Sequence, residues 1–485
     1  MKLIVKFFPE ITIKSKPVRK QQVRHLRDNI SKVLKQIDDQ VKVIGQWDFI
    51  EVKVPDDVIP EKTQQTIVDT LKRIPGIANF AEVHEFPYVD FDDVFQKTLS
   101  VYGPMLRGKR FVVRIKRAGK HDFTSTQLEQ YVGGGLRQHV AESQVDLHNP
   151  EVTVKLEVRD DKYYVVTNKY QGLGGFPIGA IEPVLSLMSG GFDSTVASYL
   201  TIRRGLKTHF CFFSLGGTAH EVGVKQVSAY LWERYSVSHR VKFVTVPFEE
   251  VVAEILRSVH HSQMGVILKR MMLRAASEVA KEMKIDALVM GDSVAQVSSQ
   301  TLPNMAIVDS VTETLVLRPL ITSHKQEIIQ LAEQIGTAEF ARNMPEYCGV
   351  ISDRPTTHAK KYRILQEEER FDFSVLEKAV AERRVVNVDE IMASVASTGD
   401  IDIINTPQVG DVIVDIRHPN ETEKHVLSLT TNEVMQIPFY ELVDAEKYLD
   451  KEKTYLLYCE KGTMSQLHAS NLKASGYANV KVYQP

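Results

Sequence analysis

The 485-residue chain holds only three cysteines, Cys211, Cys348 and Cys459. That is too few for a secreted disulfide framework or for a zinc site built from cysteine alone. Three scattered thiols are either inert core residues or reactive ones, and the count does not separate them. No uninterrupted apolar run approaches the ~18 residues that a membrane span needs, so no membrane partner is expected. The start of the chain, Met1 to Lys6 followed by Phe7-Phe8-Pro9-Glu10, lacks an apolar core with a small-residue cleavage site, so a cytoplasmic protein is expected. Net charge is nearly absent too, because 60 Lys and Arg stand against 62 Asp and Glu. With 43% apolar and 25% charged residues the composition is that of a soluble globular protein, and long disorder is excluded. The length corresponds to about two to four domains.

The near-zero charge hides an asymmetry. Residues 1–165 carry a net charge of +4, while residues 166–403 and 404–485 carry −3 each. Residues 1–44 hold 11 basic and 4 acidic residues, and residues 107–120 hold seven basic residues and no acidic one. A localised positive field beside near-neutral segments is the footprint of a polyanion partner, although a solvated strand face and loop would give the same count.

Periodicity divides the chain. A strand at 2–7, an amphipathic helix at 17–36, a hairpin at 40–54, a helix at 60–73 and a strand at 78–85 give a β-α-β-β-α-β order, which suggests a ferredoxin-like sandwich. Next come a helix at 90–102, a basic strand at 110–116, a helix at 125–142 and strands at 151–158 and 162–169. The glycine-rich segment 172–177 breaks the pattern and marks a boundary. From 184 onward, apolar strands alternate with helices, which implies a parallel doubly wound sheet with ligands at its C-terminal edge. Residues 367–403 read as a charged connector with one or two helices. The last segment has strands at 412–415, 455–458 and 480–483 and a helix at 463–474.

Two turns carry chemistry. Ser189-Gly190-Gly191-Phe192-Asp193-Ser194 follows an apolar strand and opens a helix. Glycines allow a tight turn and close backbone approach, and the helix start offers free N–H groups and a positive dipole end to a phosphate. The serines add hydroxyl donors, and Asp193 can orient a phosphate-bound Mg²⁺. Neither a Walker-type Lys-Ser/Thr pair nor the dinucleotide-type glycine pattern is present. The hexapeptide resembles the PP-loop of ATP pyrophosphatases, which split ATP into AMP and pyrophosphate and use AMP to activate a carbonyl oxygen.

The second turn is Cys459-Glu460-Lys461-Gly462-Thr463-Met464-Ser465, again between an apolar strand and a helix. A thiol in such a loop, at a helix N-terminus and near Lys461, should react as thiolate. The loop resembles that of rhodanese domains, which carry sulfur as a cysteine persulfide, and Asp415-Ile416-Arg417 matches an earlier strand-end motif of that domain. Met464 stands where those loops often have arginine, which favours sulfur delivery by a protein over thiosulfate. Cys348, in Pro345-Glu346-Tyr347-Cys348-Gly349-Val350, is flanked by turn residues, whereas Cys211 sits in the apolar run 210–213 and reads as core. His260, His261 and His358 have no metal spacing with the cysteines, so no metal site is expected.

In order along the whole chain, SGGFDS at 189–194, GDSVAQVSSQTLPN at 291–304, PEYCGV at 345–350 and YCEKGTMS at 458–465 resemble the tRNA 4-thiouridine synthase (tRNA sulfurtransferase) family. The fold class this implies is multidomain, α/β and α+β. It comprises a ferredoxin-like N-terminal region (1–60), a THUMP RNA-binding domain (61–165), a doubly wound parallel-sheet PP-loop ATP pyrophosphatase domain (178–366), a connector (367–403) and a rhodanese-like α/β domain (404–485). The resemblance implies ATP contacts at Leu187, Met188, Ser189, Gly190, Gly191, Ser194, Lys269, Gly291 and Gln300, and catalytic roles for Asp193, Lys325, Cys348 and Cys459. It implies ATP with Mg²⁺, adenylation of the 4-oxo group of uridine 8 in tRNA, and transfer of sulfane sulfur from a Cys459 persulfide loaded by a cysteine desulfurase. A Cys348–Cys459 disulfide would then form and need a reductant. Arg107, Lys109, Arg110, Arg114, Lys116, Arg117 and Lys120 are the expected tRNA backbone contacts, which position RNA without reading its sequence. The family also passes sulfur to a sulfur-carrier protein for thiamine thiazole synthesis, and a homodimer is an assembly left open. The rival readings are an ammonia-using synthetase on the same ATP fold, a non-catalytic RNA-binding protein and a stand-alone sulfur carrier. The first lacks any candidate glutaminase nucleophile region, and the intact SGGFDS argues against the second.

Overall fold

The structure is a computed structural model. It describes every residue except 56–59, 216–217, 343, 345–353, 392–400, 418–421, 424, 430, 439–440, 460–464, 466–467, 470–471 and 474–475. The chain divides into two compact units, one of residues 1–181 with 203–205, the other of residues 182–202 with 206–485. No helix among the described residues is long and apolar enough to cross a membrane.

The first unit is built on one eight-stranded sheet. Its strands are β1 (Lys2–Phe7), β2 (Lys42–Gly45), β3 (Ile50–Lys53), β4 (Ile77–Pro87), β5 (Arg110–Ala118), β6 (Gln144–Val145), β7 (Val152–Arg159) and β8 (Lys162–Gln171), in the order β2-β3-β1-β4-β8-β7-β5-β6. The ferredoxin-like and THUMP segments therefore share a sheet. The seam is β4, which is 11 residues long. It pairs antiparallel with β1 on one side and with β8 on the other, from Asn79↔Gln171 to Pro87↔Lys162.

One face of this sheet is covered by helices. Helix Phe91–Leu106 starts at Asp90, whose carboxylate accepts from the Asp93 N–H at 2.8 Å. Helix Ser125–His139 opens with a capping box between Thr124 and Gln127, which satisfies two otherwise free donors. These helices bury Val94, Phe95, Leu128, Val132 and Leu136 against Phe111, Val113 and Ile115 of β5 and Val154, Leu156 and Val158 of β7. Alternation along β5 and β7 sends the intervening residues to the other face, which is the basic one.

The second unit contains two further sheets. The larger has β9 (Val184–Leu187), β10 (Thr208–Ser214), β11 (Lys242–Pro247), β12 (Ala287–Val289), β13 (Leu315–Leu317) and β14 (Arg384–Asn387), ordered β13-β12-β9-β10-β11-β14. The chain leaves β9 toward β10 and β11, then returns to β9's other side as β12 and β13. The C-terminal end of β9 is thus the topological switch point, where doubly wound sheets bind ligands. The strands β9 to β13 run parallel, and β10, buried along its whole length, reads as the continuous apolar run such strands require. Cys211 is fully buried in β10 and burial pushes its thiol up to about 12.

Part of the segment expected to be a connector belongs to this sheet. Helix Ser374–Ala381 precedes β14, which pairs antiparallel with β11 from Lys242↔Asn387 to Thr245↔Arg384. The β-branched run Val385-Val386 suits an edge strand, and Val388 just beyond it is fully buried. The third sheet comprises β15 (Ile403–Ile404), β16 (Val412–Asp415), β17 (Val434–Gln436), β18 (Tyr455–Tyr458) and β19 (Val480–Tyr483). It is wholly parallel, in the order β15-β19-β18-β16-β17. Most of the helix expected over 463–474 lies outside the described residues.

Candidate functional site

Residues 188–191 link β9 to the helix Phe192–Arg204. Gly190 has φ +82°, a conformation that favours glycine, and Met344 Cε packs closely against it. Ser194 ties the turn together: its hydroxyl lies 3.0 Å from Ser189 Oγ and accepts from the Ser189 N–H at 3.2 Å. Gly191 O accepts from the Thr195 N–H at 3.2 Å, which starts the helix. His220 Nε2 donates to Ser189 O at 2.9 Å from the helix after β10. Met188 is buried and its N–H donates to Cys211 O at 2.8 Å, while Leu187 is half-buried at the strand end.

Asp193 projects from the first turn of that helix into an ion pair. Lys325 Nζ lies 2.9 and 3.1 Å from its two oxygens, and Gln296 Nε2 donates to Oδ2 at 2.7 Å. Lys325 is the first residue of helix Lys325–Ile335, which is held by a capping box between His324 and Glu327. Gly291, just after β12, packs against the same turn, since a Cβ there would lie 2.6 Å from Asp193 C and 2.7 Å from Ser194 N. Sequence reasoning missed Gln296, although it lies inside the 291–304 motif.

Behind Gly291, Asp292 gathers Lys269, Arg318 and Gln300. Lys269 Nζ and Arg318 Nε lie 2.8 and 3.0 Å from its oxygens, and Gln300 Nε2 donates at 3.2 Å. Burial works to raise the Asp292 carboxyl, but Lys269 and Arg318 outweigh it and hold it below the usual carboxylate range. Separate strands, turns and helices thus bring Leu187, Met188, Ser189, Gly190, Gly191, Asp193, Ser194, Lys269, Gly291, Gln300 and Lys325 to one end of one sheet, at its switch point. Positive Lys and Arg side chains, loop N–H groups and a helix N-terminus make that end suited to a nucleoside triphosphate.

The third sheet also carries a candidate site residue at a strand end. Cys459 directly follows β18 and is 9% exposed. Its sulfur receives the Ser465 N–H at 3.3 Å and lies 3.3 Å from Ser465 Oγ. On the neighbouring strand, Asp415 holds Arg417 through two bonds of 2.9 and 2.6 Å, both side chains fully buried. Arg417 also donates to His425 O at 2.8 Å and sits over the Tyr458 ring, 5.0 Å from its centre. His468 is buried, and burial pulls its imidazole down to about 4, so it is neutral near pH 7. Cys348 and Lys461 lie outside the described residues, as does the Cys348–Cys459 pairing. Met344, four residues before Cys348, packs on Gly190 and Gly223.

The seven basic residues of 107–120 do not form one patch. Arg107, Lys109 and Lys120 are exposed in the turns flanking β5. Arg110 is paired with Asp146 and Glu151, and Arg117 stacks over Phe123 at 5.6 Å. Arg114 and Lys116 reach the helix-free face of the sheet. There they line a groove of about 410 Å³ with Lys6, Lys155, Arg159 and Lys169, interleaved with Phe49 and Tyr164. Burial, and after it the neighbouring Arg159, lowers the Lys6 ammonium from its ordinary range. Arg159 is paired with Glu157, the acid in the lining, and with Asp48 beside it; the other five cations make this groove a receptor for a polyanion. The four lysines and arginines outside 107–120 escaped a count along the chain because they come from β1, β7 and β8.

Four family models match the chain. Residues 2–81 match the ThiI ferredoxin-like domain, 88–168 the THUMP domain, 179–373 the family described as thiamine biosynthesis protein ThiI, and 401–484 the rhodanese-like domain. The chain therefore has the parts of a nucleotide-dependent RNA-modifying enzyme joined to a sulfur-carrying domain. It is 51% identical to a tRNA sulfurtransferase of Marinobacter nauticus and 53% identical to those of Azotobacter vinelandii and Pseudomonas aeruginosa, in each case over 100% of both chains. It belongs to the tRNA sulfurtransferase family. A solved 4-thiouridine synthetase–RNA complex with bound ATP superposes with a TM-score of 0.70 at 27% identity, covering 80% of this chain and 99% of that one. A Pyrococcus horikoshii protein, PH1313, shares the fold at a TM-score of 0.54 and 18% identity, over 69% of this chain and 100% of that chain.

Proposed function

We propose that this protein is a tRNA uracil 4-sulfurtransferase, which converts uridine 8 of tRNA to 4-thiouridine. The observation that carries the reading is the pairing, in one family member, of a glycine-containing strand-to-helix turn at a sheet switch point with a buried cysteine at a strand end of a second parallel sheet. ATP binds at 188–194 with its phosphates on the turn N–H groups. Lys269 and Lys325 offset its charge. Asp193 is the carboxylate that would hold Mg²⁺, which supplies charge neutralisation on the pyrophosphate. The 4-oxo oxygen attacks the α-phosphorus, pyrophosphate leaves, and the base carries AMP on oxygen. A cysteine desulfurase loads sulfane sulfur onto Cys459, the terminal sulfur attacks C4, and AMP leaves. Cys348 then attacks the Cys459 sulfur, 4-thiouridine is released, and a reductant returns two electrons to the Cys348–Cys459 disulfide. The Ser465 N–H stabilises negative charge on the Cys459 sulfur during these steps. The basic groove takes tRNA phosphates, and the cytoplasm, where desulfurase and reductant operate, is the compartment this chemistry fits.

The decisive experiment complements a strain lacking 4-thiouridine with this gene or its Cys459→Ser form. Modified tRNA is expected with the first and none with the second, and full modification without the thiol would sink the reading. The match to a thiamine biosynthesis family supports a second duty, delivery of Cys459 sulfur to a sulfur-carrier protein. Growth without thiamine that depends on Cys459 but not on Asp193 would fit that duty, while growth indifferent to Cys459 would remove it.

A further inference from the structure

Asp292 has no part in the chemistry above, yet it is the most heavily engaged carboxylate at the nucleotide end of the sheet. It is 4% exposed and both its oxygens are taken. Its partner Arg318 forks onto Asp309 at 2.8 and 2.6 Å on the far side. The run Asp309–Arg318–Asp292–Lys269 therefore alternates in sign and sums to zero, with Lys269 at its outer end. The Lys269 side chain is 22% exposed. Its ammonium has three donors, of which Asp292 takes one.

Gln300 adds a second constraint. An ionised carboxylate only accepts, so the Gln300 amide must turn its NH₂ toward Asp292 and its oxygen away. That oxygen, Oε1, is buried and meets no donor among the described residues. A buried acceptor left empty is unfavourable, and a ligand N–H or O–H placed there would fill it.

We propose that Asp292 is a positioning residue for nucleotide binding. It holds Lys269 with its remaining donors free for phosphate oxygens. It also fixes the Gln300 amide with its acceptor presented to an N–H or O–H group of the adenosine moiety. Without the carboxylate, Lys269 and Arg318 would repel one another, the lysine would regain its rotamer freedom, and the amide could turn over. The proposal rests on reading Lys269 and Gln300 as ATP contacts.

The test is equilibrium ATP binding to the full-length protein, with tRNA affinity and thermal midpoint measured alongside. Asp292→Asn is expected to weaken ATP on the order of tenfold, as for a lost charged hydrogen bond, and to leave tRNA affinity unchanged. In a background carrying both Lys269→Gln and Gln300→Ala the same change should cost little more, because it acts through those two side chains. Equal, additive losses in both backgrounds, or a lowered midpoint with unchanged ATP affinity, would overturn the proposal. If Lys269→Gln alone leaves ATP affinity intact, the ATP-contact reading fails and the proposal falls with it. If Asp292→Asn does not fold, Asp292→Glu keeps the charge but displaces it. It should weaken ATP severalfold in the parent and not in the background carrying both Lys269→Gln and Gln300→Ala; an equal loss in both overturns the role. Asp309→Asn serves as the control: it breaks only the outer pair and should lower the midpoint while leaving ATP affinity unchanged.

Discussion

The two candidate chemical centres share a topology and differ in material. Each lies just beyond the end of a parallel strand, at the C-terminal edge of a sheet. The turn after β9 is surrounded by formal charges, with Asp193 on Lys325 and Asp292 on Lys269 and Arg318. Cys459, just after β18, presents its sulfur to a neutral N–H and a hydroxyl, with a neutral His468 buried in the same domain. The ion pair on the neighbouring strand, Asp415–Arg417, is buried. A triphosphate carries several charges and needs cations that can exchange partners. A sulfane sulfur carries at most one charge and is protected by exclusion of water. Ligand charge, more than fold, separates the two sites.

Asp193→Asn attacks that contrast with the largest expected effect. It removes the negative charge from the nucleotide turn, leaves Lys325 without its partner, and keeps the side-chain volume. AMP formation should fall on the order of a hundredfold or more, in keeping with lost electrostatic preorganisation. Persulfide formation on Cys459, followed by labelled sulfur from the desulfurase, should be unchanged. A parallel loss of both activities would mean that the two centres are not chemically separate.

Acid sharpens the contrast through His468. Its folded value of about 4 lies below the 6.5 of an exposed imidazole. The unfolded chain therefore binds the extra proton first, and stability is lost as pH falls from about 6.5 toward 4. The full loss is about 3 kcal/mol, most of it already present near pH 5. His468→Gln should flatten this dependence in thermal unfolding between pH 7 and pH 5. Identical profiles for parent and variant would show that burial of a neutral imidazole is not what the rhodanese-like domain depends on. His209, buried in β10 and also lowered to about 4, supplies the same sign of dependence in the other sheet and is the background to subtract.

Much of the architecture was legible because it is local. Ser189 to Ser194 reads as strand, turn and helix from a single hexapeptide, and Cys459 reads as a loop thiol from the apolar strand before it. The supporting shell was not legible. Gln296 meets Asp193 across 103 residues of sequence, and Arg270 meets Glu368 across 98. No spacing rule connects such pairs, because the sheet order brings them together. The same holds for β14, whose charged flanks read as connector until β11 offers it an edge.

The basic strand illustrates both sides and supplies the smallest predicted effect. Counting charges along 107–120 identifies a polyanion-facing segment, but a strand alternates, so neighbouring basic residues point in opposite directions. Arg110 is already committed to Asp146 and Glu151, whereas Lys116 and Lys6 face the groove among other cations. Reversing Lys116 and Lys6 to Glu should weaken tRNA binding severalfold at moderate salt and reduce the salt dependence by roughly two ion equivalents. Arg110→Glu should do less, because the charge it removes is locally neutralised. ATP affinity should stay unchanged in both, since the nucleotide turn has its own cations. Equal losses from Arg110 and from the groove pair would place the RNA along the strand edge, and the rule that exchangeable cations mark anionic ligands would then fail at the groove where Lys6, Arg114, Lys116, Lys155 and Lys169 converge.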